Sequence, residues 1–144
     1  MDRPLTLPDS IEDIVENFSF LEDWEDRYGY LIELGNALTP VPEDQMIDAN
    51  KVQGCVSQVW LISEYADGKL HFNGASDAHI VRGLVAVALS IFSDKTPAEI
   101  AELDEQETFV AIGLSEHLTP QRSNGLKSLV GKIKATAQAT LANA

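Results

Sequence analysis

The sequence predicts an α+β fold, in which a small antiparallel sheet packs against several helices. Apolar residues recur at helical spacing near both ends of the chain and in its middle. The strand-like segments, in contrast, are neighbours in the chain and are joined by one turn sequence, Ala-Asp-Gly-Lys at residues 66–69. Strands grouped between helices favour an α+β fold over a parallel α/β sheet, in which strands and helices alternate.

Two helices are predicted in the first third of the chain. The first covers residues 10–19, where apolar side chains recur at helical spacing and Ser10 is a suitable N-cap. The second covers residues 24–38 and ends at the Thr-Pro-Val-Pro sequence of residues 39–42, because its two prolines lack the backbone N–H that a helix needs. A loop is expected from there to Asn50.

A hairpin and a central helix are predicted next. Val59 begins a run rich in apolar and β-branched residues, residues 66–69 form the turn, and residues 70–72 alternate between apolar and polar side chains. Residues 77–93 are apolar on almost every side, which is typical of a helix that other elements cover on several faces. We therefore expect this helix to lie at the centre of the fold.

Two further helices are predicted toward the C-terminus. Thr96, Pro97 and Glu99 supply an N-cap, a first-turn proline and a capping-box acid, which together open a short helix. The last helix begins at residues 119–120 or at Ser123. Its apolar stripe, which we expect to be buried, consists of Leu126, Leu129, Val130, Ile133, Ala137 and Leu141.

Length and composition predict a single domain over residues 1–144. Hydrophobic residues make up 44% of the chain, which is enough for a substantial core. No apolar run reaches the roughly 20 residues that a membrane span requires, and the N-terminus does not show the pattern of a secretory signal. We therefore expect a cytoplasmic protein without a membrane partner.

The formal net charge of -13 argues against nucleic acid as a partner, because phosphate binding depends on clustered Lys and Arg. The charge is uneven, since residues 1–50 carry thirteen acidic residues against two basic ones. This segment is either a solvated acidic surface or a docking surface for a basic partner protein. In the second case Glu22, Asp23, Glu25 and Asp26 are the candidate contacts.

Cys55 is the only cysteine of the chain, so it has no partner for an internal disulfide. A free cysteine is commonly a small buried apolar side chain. Here Gly54 favours a turn and Ser57 is a polar neighbour, which predicts a thiol displayed at the entrance of the following strand. The thiolate is the reactive form of cysteine, and nearby cations lower the pKa of a thiol.

Arg82, His117 and Arg122 are the candidate cations for Cys55, and the sequence does not show whether they lie near it. Arg122 has an equally good structural interpretation, an ion pair with one of the many carboxylates. His117 precedes a predicted helix, where it either packs, caps or faces a site.

No metal site is predicted. A metal or iron–sulfur centre needs three or four Cys or His ligands close together, and this chain has one cysteine and three scattered histidines. His71 in the hairpin and His79 in the central helix are interpreted as structural or solvated residues, and Trp60 as a core residue. The sequence also contains no phosphate-binding glycine loop.

Three segments resemble the SufE family of sulfur-acceptor proteins. They are VQGCVSQVWL around Cys55, GASDAHIVRGLVAVAL at residues 74–89 and HLTPQRSNGL at residues 117–126. They occur in the family's order, and the likeness extends over nearly the whole chain. The resemblance implies a compact α+β domain similar to iron–sulfur scaffold (IscU-like) domains, in agreement with the fold predicted above.

The resemblance also implies a sulfur carrier rather than a self-sufficient enzyme. The partner would be a pyridoxal-phosphate cysteine desulfurase, either SufS-like or of the sister CsdA-like group, which holds sulfur as a persulfide. Cys55 would take the terminal sulfur, stimulate the desulfurase by removing its product, and pass the sulfur to an iron–sulfur assembly scaffold. The carrier itself is expected to hold no cofactor, since the pyridoxal phosphate belongs to the partner.

The alternative is a thiol-dependent hydrolase or transferase that uses Cys55 with His117. If the protein is a sulfur carrier, having a single thiol is an advantage, because a second thiol nearby would attack the persulfide and release sulfide. We further expect residues 54–57 to turn outward when a partner docks. The side chains expected to shelter the sulfur between partners are Val52, Val56 and Val59.

Overall fold

A computed structural model describes residues 11–38, 40–54, 58–114 and 118–143. Within these ranges a two-stranded antiparallel sheet packs against helices, and the predicted α+β fold class is confirmed. In chain order the elements are α1 (Ile11–Ser19), α2 (Trp24–Asn36), two 3-10 turns (Glu43–Gln45 and Asp48–Asn50), β1 (Val59–Ala66), β2 (Lys69–Ser76), α3 (His79–Phe92), α4 (Pro97–Glu102), α5 (Glu105–Ala111) and α6 (Pro120–Ala142).

The sheet is the predicted β-hairpin, and its turn follows from its sequence. Ala66 pairs with Lys69 across a two-residue turn. The turn residues Asp67 and Gly68 both have positive φ, 55° and 78°. Two consecutive positive φ angles match the right-handed twist of the flanking strands, and Asp-Gly is a preferred sequence for them.

One face of the hairpin packs on the core. Along β2 every second residue from Leu70 to Ser76 is buried, which is the alternation of a half-covered sheet. In β1 Val59 and Leu61 are buried, whereas the second half of the strand is largely exposed. Single antiparallel bridges extend the sheet at both edges, between Lys51 and Trp60 and between Leu70 and Lys95.

Helix α3 lies at the centre of the fold, as its apolar sequence predicts. Every residue from Gly83 to Leu89 is buried, and the helix contacts α1, α2, β2 and α6. Its crossing with α2 leaves no space for side chains at two glycines. A β-carbon at Gly83 would lie 2.6 Å from the carbonyl carbon of Leu31, and one at Gly35 would lie 2.7 Å from the Gly83 nitrogen.

Helices α2 and α6 contact different faces of α3. Gly83 meets α2, whereas Val85 lines a cavity that is closed on its far side by α6. Successive residues of an α-helix are about 100° apart around its axis, so Val85 is turned about 200° from Gly83. The two flanking helices therefore lie on opposite sides of α3.

The predicted cap of α4 is confirmed, and the start of α6 is one of the two that the sequence allows. Thr96 and Glu99 form a capping box at the start of α4. The Thr119 hydroxyl accepts a hydrogen bond of 3.2 Å from the Arg122 backbone N–H, so α6 begins at Pro120 rather than at Ser123. Two expected boundary residues, Ser10 and Thr39, lie outside the described residues.

Three details differ from the sequence analysis. Helix α5 was not predicted, because its short sequence buries only Phe109 and shows no repeated apolar spacing. Leu141 is 45% exposed and does not belong to the buried stripe of α6, since the last turn of the helix extends past the core. Trp60 is half-buried, because it points to the opposite face of β1 from Val59 and Leu61.

Candidate functional site

The candidate site is defined by the residues that flank the only cysteine. Cys55, Ser57 and His117 lie outside the described residues, whereas Gly54 and Gln58 are described. The roles assigned to the first three therefore stay predictions. The geometry available is that of the two flanks and of the groups that they contact.

The flank before the thiol lies against helix α6. Gly54 has a φ of +88°, in the left-handed region that favours glycine. A β-carbon at Gly54 would lie 2.7 Å from the Ser128 Oγ and 3.6 Å from the Ser128 Cβ, so the backbone lies against α6 and a larger residue would require the Ser128 hydroxyl to rotate away. The backbone angle therefore selects glycine next to Cys55.

The flank after the thiol is held by the connection between β2 and α3. The Gln58 backbone N–H donates to a carboxylate oxygen of Asp77 at 3.1 Å, and the Asp77 N–H donates to the Gln58 carbonyl at 3.3 Å. Just outside both flanks, the Val52 N–H donates to the Val59 carbonyl at 2.8 Å. The chain that carries Cys55 thus leaves and re-enters the fold at neighbouring, anchored points.

A cavity of about 260 Å³ lies beside these anchors, between the start of β1, helix α3 and the first turns of α6. Most of its wall is apolar, and its polar lining comes from the N-terminal part of α6. The apolar wall residues are Val59, Val81, Leu84, Val85, Leu126 and Leu129. The remaining lining residues are Thr119, Gln121, Arg122 and Gly125.

Arg122 is the predicted site residue that the structure places at this cavity. It lies in the first turn of α6 and is half-buried. No carboxylate in the described part of the chain forms an ion pair with it. The ion pair considered for Arg122 is therefore not formed among these residues, and Arg122 belongs to the lining of the cavity.

Arg82 lines a different cavity, although the sequence makes Arg82 and Arg122 equal candidates for the cation near Cys55. Its Nε donates to the Ser76 carbonyl at 3.1 Å, and its side chain lines a separate cavity of about 270 Å³ next to Gly35 and Asn36 of α2. Arg82 precedes Gly83, which faces α2, whereas the cavity of Arg122 lies toward α6. The structure therefore does not bring the two arginines together.

The cavity carries positive charge at the end formed by α6. Arg122 belongs to its lining, whereas Lys127 and Lys134 of the same helix line a different cavity and Lys134 pairs with Glu105 at 3.0 Å. The N-terminus of a long helix adds a partial positive charge, and this end of α6 lines the cavity. A thiolate or another sulfur anion there would be stabilised relative to its protonated form.

Two contact residues of this site were not found from the sequence. From the sequence, Asp77 is only the first residue of the central helix, and Ser128 is an ordinary polar position of the last helix. A signal for Asp77 existed, since an acidic residue between a strand and a helix commonly accepts backbone N–H groups. Ser128 carried no such signal, because its contact with Gly54 depends on how α6 packs. Of the valines expected to shelter the sulfur, Val52 and Val59 are buried, and Val56 lies outside the described residues.

The other two histidines are not part of this cavity. The Nδ1 atom of His71 lies 2.5 Å from a carboxylate oxygen of Asp94, which ties β2 to the turn after α3. His79 is exposed in the first turn of α3. The described residues contain no group of three or more His, Cys, Asp or Glu that could hold a metal ion. Among the same residues, no helix has the length and apolarity needed to cross a membrane.

Fold and site together define a class: an α+β protein with a single cysteine whose flanking residues are anchored beside a largely apolar cavity that Arg122 lines. The model of the SufE family, described as an Fe-S metabolism associated domain, matches residues 12–137. The chain belongs to the SufE family, and the predicted resemblance is confirmed.

Named relatives agree with this assignment. An uncharacterized SufE-like protein of Rhizobium meliloti is 51% identical over 136 residues, which cover 92% of this chain and 97% of the relative. An uncharacterized SufE-like protein of Rhizobium etli is 50% identical over 133 residues, 90% of each chain. The fold is also that of a hypothetical protein from Thermus thermophilus, solved in solution, with a TM-score of 0.74 at 20% identity over 95% of this chain and 99% of that one.

Proposed function

We propose that this protein accepts sulfur from a cysteine desulfurase on Cys55 and passes it on to iron–sulfur cluster assembly. Membership of a family associated with iron–sulfur metabolism supports this role. The observation that carries the proposal is the anchoring of both flanks of the single cysteine beside an apolar cavity that Arg122 lines. A carrier needs such an arrangement, because its thiol must be reactive toward a partner and protected in between.

The transfer is a thiol–persulfide exchange. The Cys55 thiolate attacks the outer sulfur of the partner's persulfide, and the sulfur–sulfur bond of the partner breaks as the new one forms. The partner's cysteine leaves as a thiolate, so the step needs no external oxidant or reductant. A second exchange of the same kind delivers the outer sulfur to the recipient.

The cavity supports this chemistry in two ways. Its apolar wall excludes water from a sulfur atom placed there, and Arg122 with the N-terminus of α6 stabilises the negative charge. We expect Arg122→Gln to slow sulfur uptake by about tenfold, a loss typical of one charge-assisted contact of about 1.4 kcal/mol. Lys127→Gln is the matched control, because Lys127 is an exposed basic residue of the same helix but lines a different cavity. Equal effects of the two substitutions would remove Arg122 from the mechanism.

The proposed carrier depends on a partner enzyme and on a reducing environment. The pyridoxal phosphate stays in the desulfurase, and the carrier stimulates that enzyme by removing its product while performing no autonomous turnover. A single thiol without a disulfide partner fits a reducing compartment such as the cytosol. Binding measured side by side with a SufS-like and a CsdA-like desulfurase decides which of the two is the donor.

The decisive experiment is mass spectrometry of the intact protein after incubation with a desulfurase and free cysteine. We expect one additional sulfur atom, removed by reductant and absent from Cys55→Ser. A small acyl substrate that acylates Cys55 without any partner would instead support the thiol hydrolase or transferase, and a matching loss in a His117 variant would strengthen it. Sulfur uptake by Cys55→Ser at the rate of the unmodified protein would exclude the carrier role.

A further inference from the structure

A second surface lies away from the thiol, in a groove of about 540 Å³ between the C-terminal end of α1 and the outer face of α2. The groove has an apolar floor and an acidic rim. It shares no lining residue with the cavity that Arg122 lines. We call it the α1–α2 groove.

The apolar part of the groove is exposed to solvent. Phe20 is 74% exposed, although a phenylalanine is strongly stabilised by burial. Leu21 and Tyr30 continue the apolar surface beside it. At Gly29 no atom lies within 4 Å of the position that a β-carbon would take, so the floor is open to an incoming side chain. An exposed apolar patch with a polar rim is typical of an interaction site.

The rim of the groove is acidic and is not neutralised by its neighbours. Glu25, Asp26 and Glu33 line it, and all three are exposed. Among the described residues no basic side chain forms an ion pair with them. Arg27, the only basic residue between positions 11 and 50, is held by a 2.8 Å bond from its Nε to the Leu21 carbonyl and by the Trp24 ring.

The groove faces away from the thiol cavity. Leu31 of α2 faces α3, and Gly29 precedes it by two residues, which places Gly29 about 200° around the helix from Leu31. The cavity that Arg122 lines is on the far side of α3, toward α6. A partner seated in the groove therefore leaves the flanks of Cys55 uncovered.

We propose that the α1–α2 groove binds a segment of a partner protein in which an aliphatic or aromatic side chain is flanked by lysine or arginine. The apolar side chain packs between Phe20 and Tyr30 over Gly29, and the basic residues pair with Glu25 and Glu33. Charge complementarity selects this occupant, because the acidic rim repels nucleic acids and anionic membranes. Binding takes place independently of the chemistry at Cys55.

The test is an NMR titration of the isotope-labelled full chain with a synthetic amphipathic peptide of leucine and lysine. We expect the largest shift changes at Phe20, Gly29 and Glu33. Phe20→Ser and the double variant Glu25→Lys, Glu33→Lys should each weaken binding by about tenfold or more, the size of effect typical of a central apolar anchor or of paired charges. Glu102→Lys, at an exposed position of α4, changes the charge outside the groove and should have little effect.

Several results would overturn the proposal. Equal weakening by Glu102→Lys, or shift changes centred elsewhere, would reduce the binding to a general charge effect. A concentration-dependent dimer that Phe20→Ser abolishes would assign the groove to a second copy of the chain. Tighter peptide binding after Leu5→Ser and Leu7→Ser would assign it to the first ten residues of the same chain.

Independence from the thiol is tested separately. Cys55→Ser should bind the peptide as tightly as the unmodified protein, and a saturating amount of peptide should leave the sulfur loading of Cys55 by a desulfurase unchanged. A peptide that blocks loading would contradict the independence of the two surfaces. Failure of loading without any peptide would count against the proposed sulfur transfer and leave the groove unaffected.

Discussion

The substitution Asp77→Ala tests whether the anchor that follows the thiol controls access to it. In the folded protein the Asp77 carboxylate accepts the Gln58 backbone N–H at 3.1 Å. The alanine variant loses this bond but keeps the second one, from its own backbone N–H to the Gln58 carbonyl. The perturbation thus removes one of two hydrogen bonds that hold the end of the segment carrying Cys55.

The expected increase in the reactivity of Cys55 follows from the hydrogen bond that is lost. A single hydrogen bond contributes a net stabilisation of about 0.5–1.5 kcal/mol, and the exposure of Asp77 and Gln58 places this bond near the middle of that range. A loss of about 1 kcal/mol multiplies the population of the open segment by about five. If a reagent reaches the thiol only when the segment leaves α6, the alkylation rate of Cys55 should rise by the same factor.

The assay is the rate of Cys55 alkylation by an uncharged maleimide, with and without the desulfurase. Asp77→Asn keeps an acceptor oxygen and should react almost like the unmodified protein. Asp104→Ala is a matched control, because the Asp104 carboxylate also accepts a backbone N–H, at 3.0 Å, but caps α5 instead. An unchanged rate in Asp77→Ala, or an equal rise in Asp104→Ala, would refute the reasoning, as would a free-protein rate that the desulfurase leaves unaltered.

Two further predictions concern the scaffold. Gly83→Ala should lower the free energy of unfolding, measured in urea, by about 2 kcal/mol, because the new methyl group meets the backbone of Leu31. Gly131→Ala is the control: its methyl group enters open space and should raise the free energy of unfolding by about 0.5–1 kcal/mol. Equal stability of the two variants would contradict the close crossing of α2 and α3. Hydrogen bonds from the backbone N–H and then the hydroxyl of Thr96 hold the pKa of Glu99 below its usual value. The stabilisation from this capping box is therefore fully present above the ordinary glutamate pKa and is lost as the pH falls through the lowered pKa of Glu99. An NMR titration of Glu99 should show the lowered pKa. Thr96→Ala should raise that pKa.

The fold was predictable where local chemistry decides it. The Asp-Gly turn fixes the hairpin, and the caps at Thr96 and Thr119 fix the starts of two helices. Helix α5 shows the limit of this approach, because it is held by its cap and one buried Phe109 rather than by a repeated apolar pattern. Such a segment becomes helical through its tertiary contacts, which no local window contains.

The candidate site was predictable only in part, and its two arginines show why. Arg82 and Arg122 both lie near the start of a helix, in segments that resemble the SufE family, so the sequence does not distinguish between them. The rotation of α3 about its axis is set by Gly83, which must face α2, and this leaves Arg82 on the α2 side of the helix. Arg122 reaches the cavity because α6 packs on the other side. Helix orientation within the core is a property of packing, and it decided which cation lines the cavity.

The opposite charges of the two surfaces have a consequence for partner choice. A basic segment attracted to the acidic α1–α2 groove is disfavoured at the other cavity, where Arg122 and the N-terminus of α6 contribute positive charge. Each surface thereby disfavours the ligand of the other, which is how specificity arises from repulsion as well as attraction. Under the proposed sulfur transfer, a partner held in the groove would keep a high effective concentration while Cys55 reacts with a different protein. Donor and recipient would have to meet the single thiol in turn, and the groove would provide a separate attachment point through which one of them stays bound during the exchange.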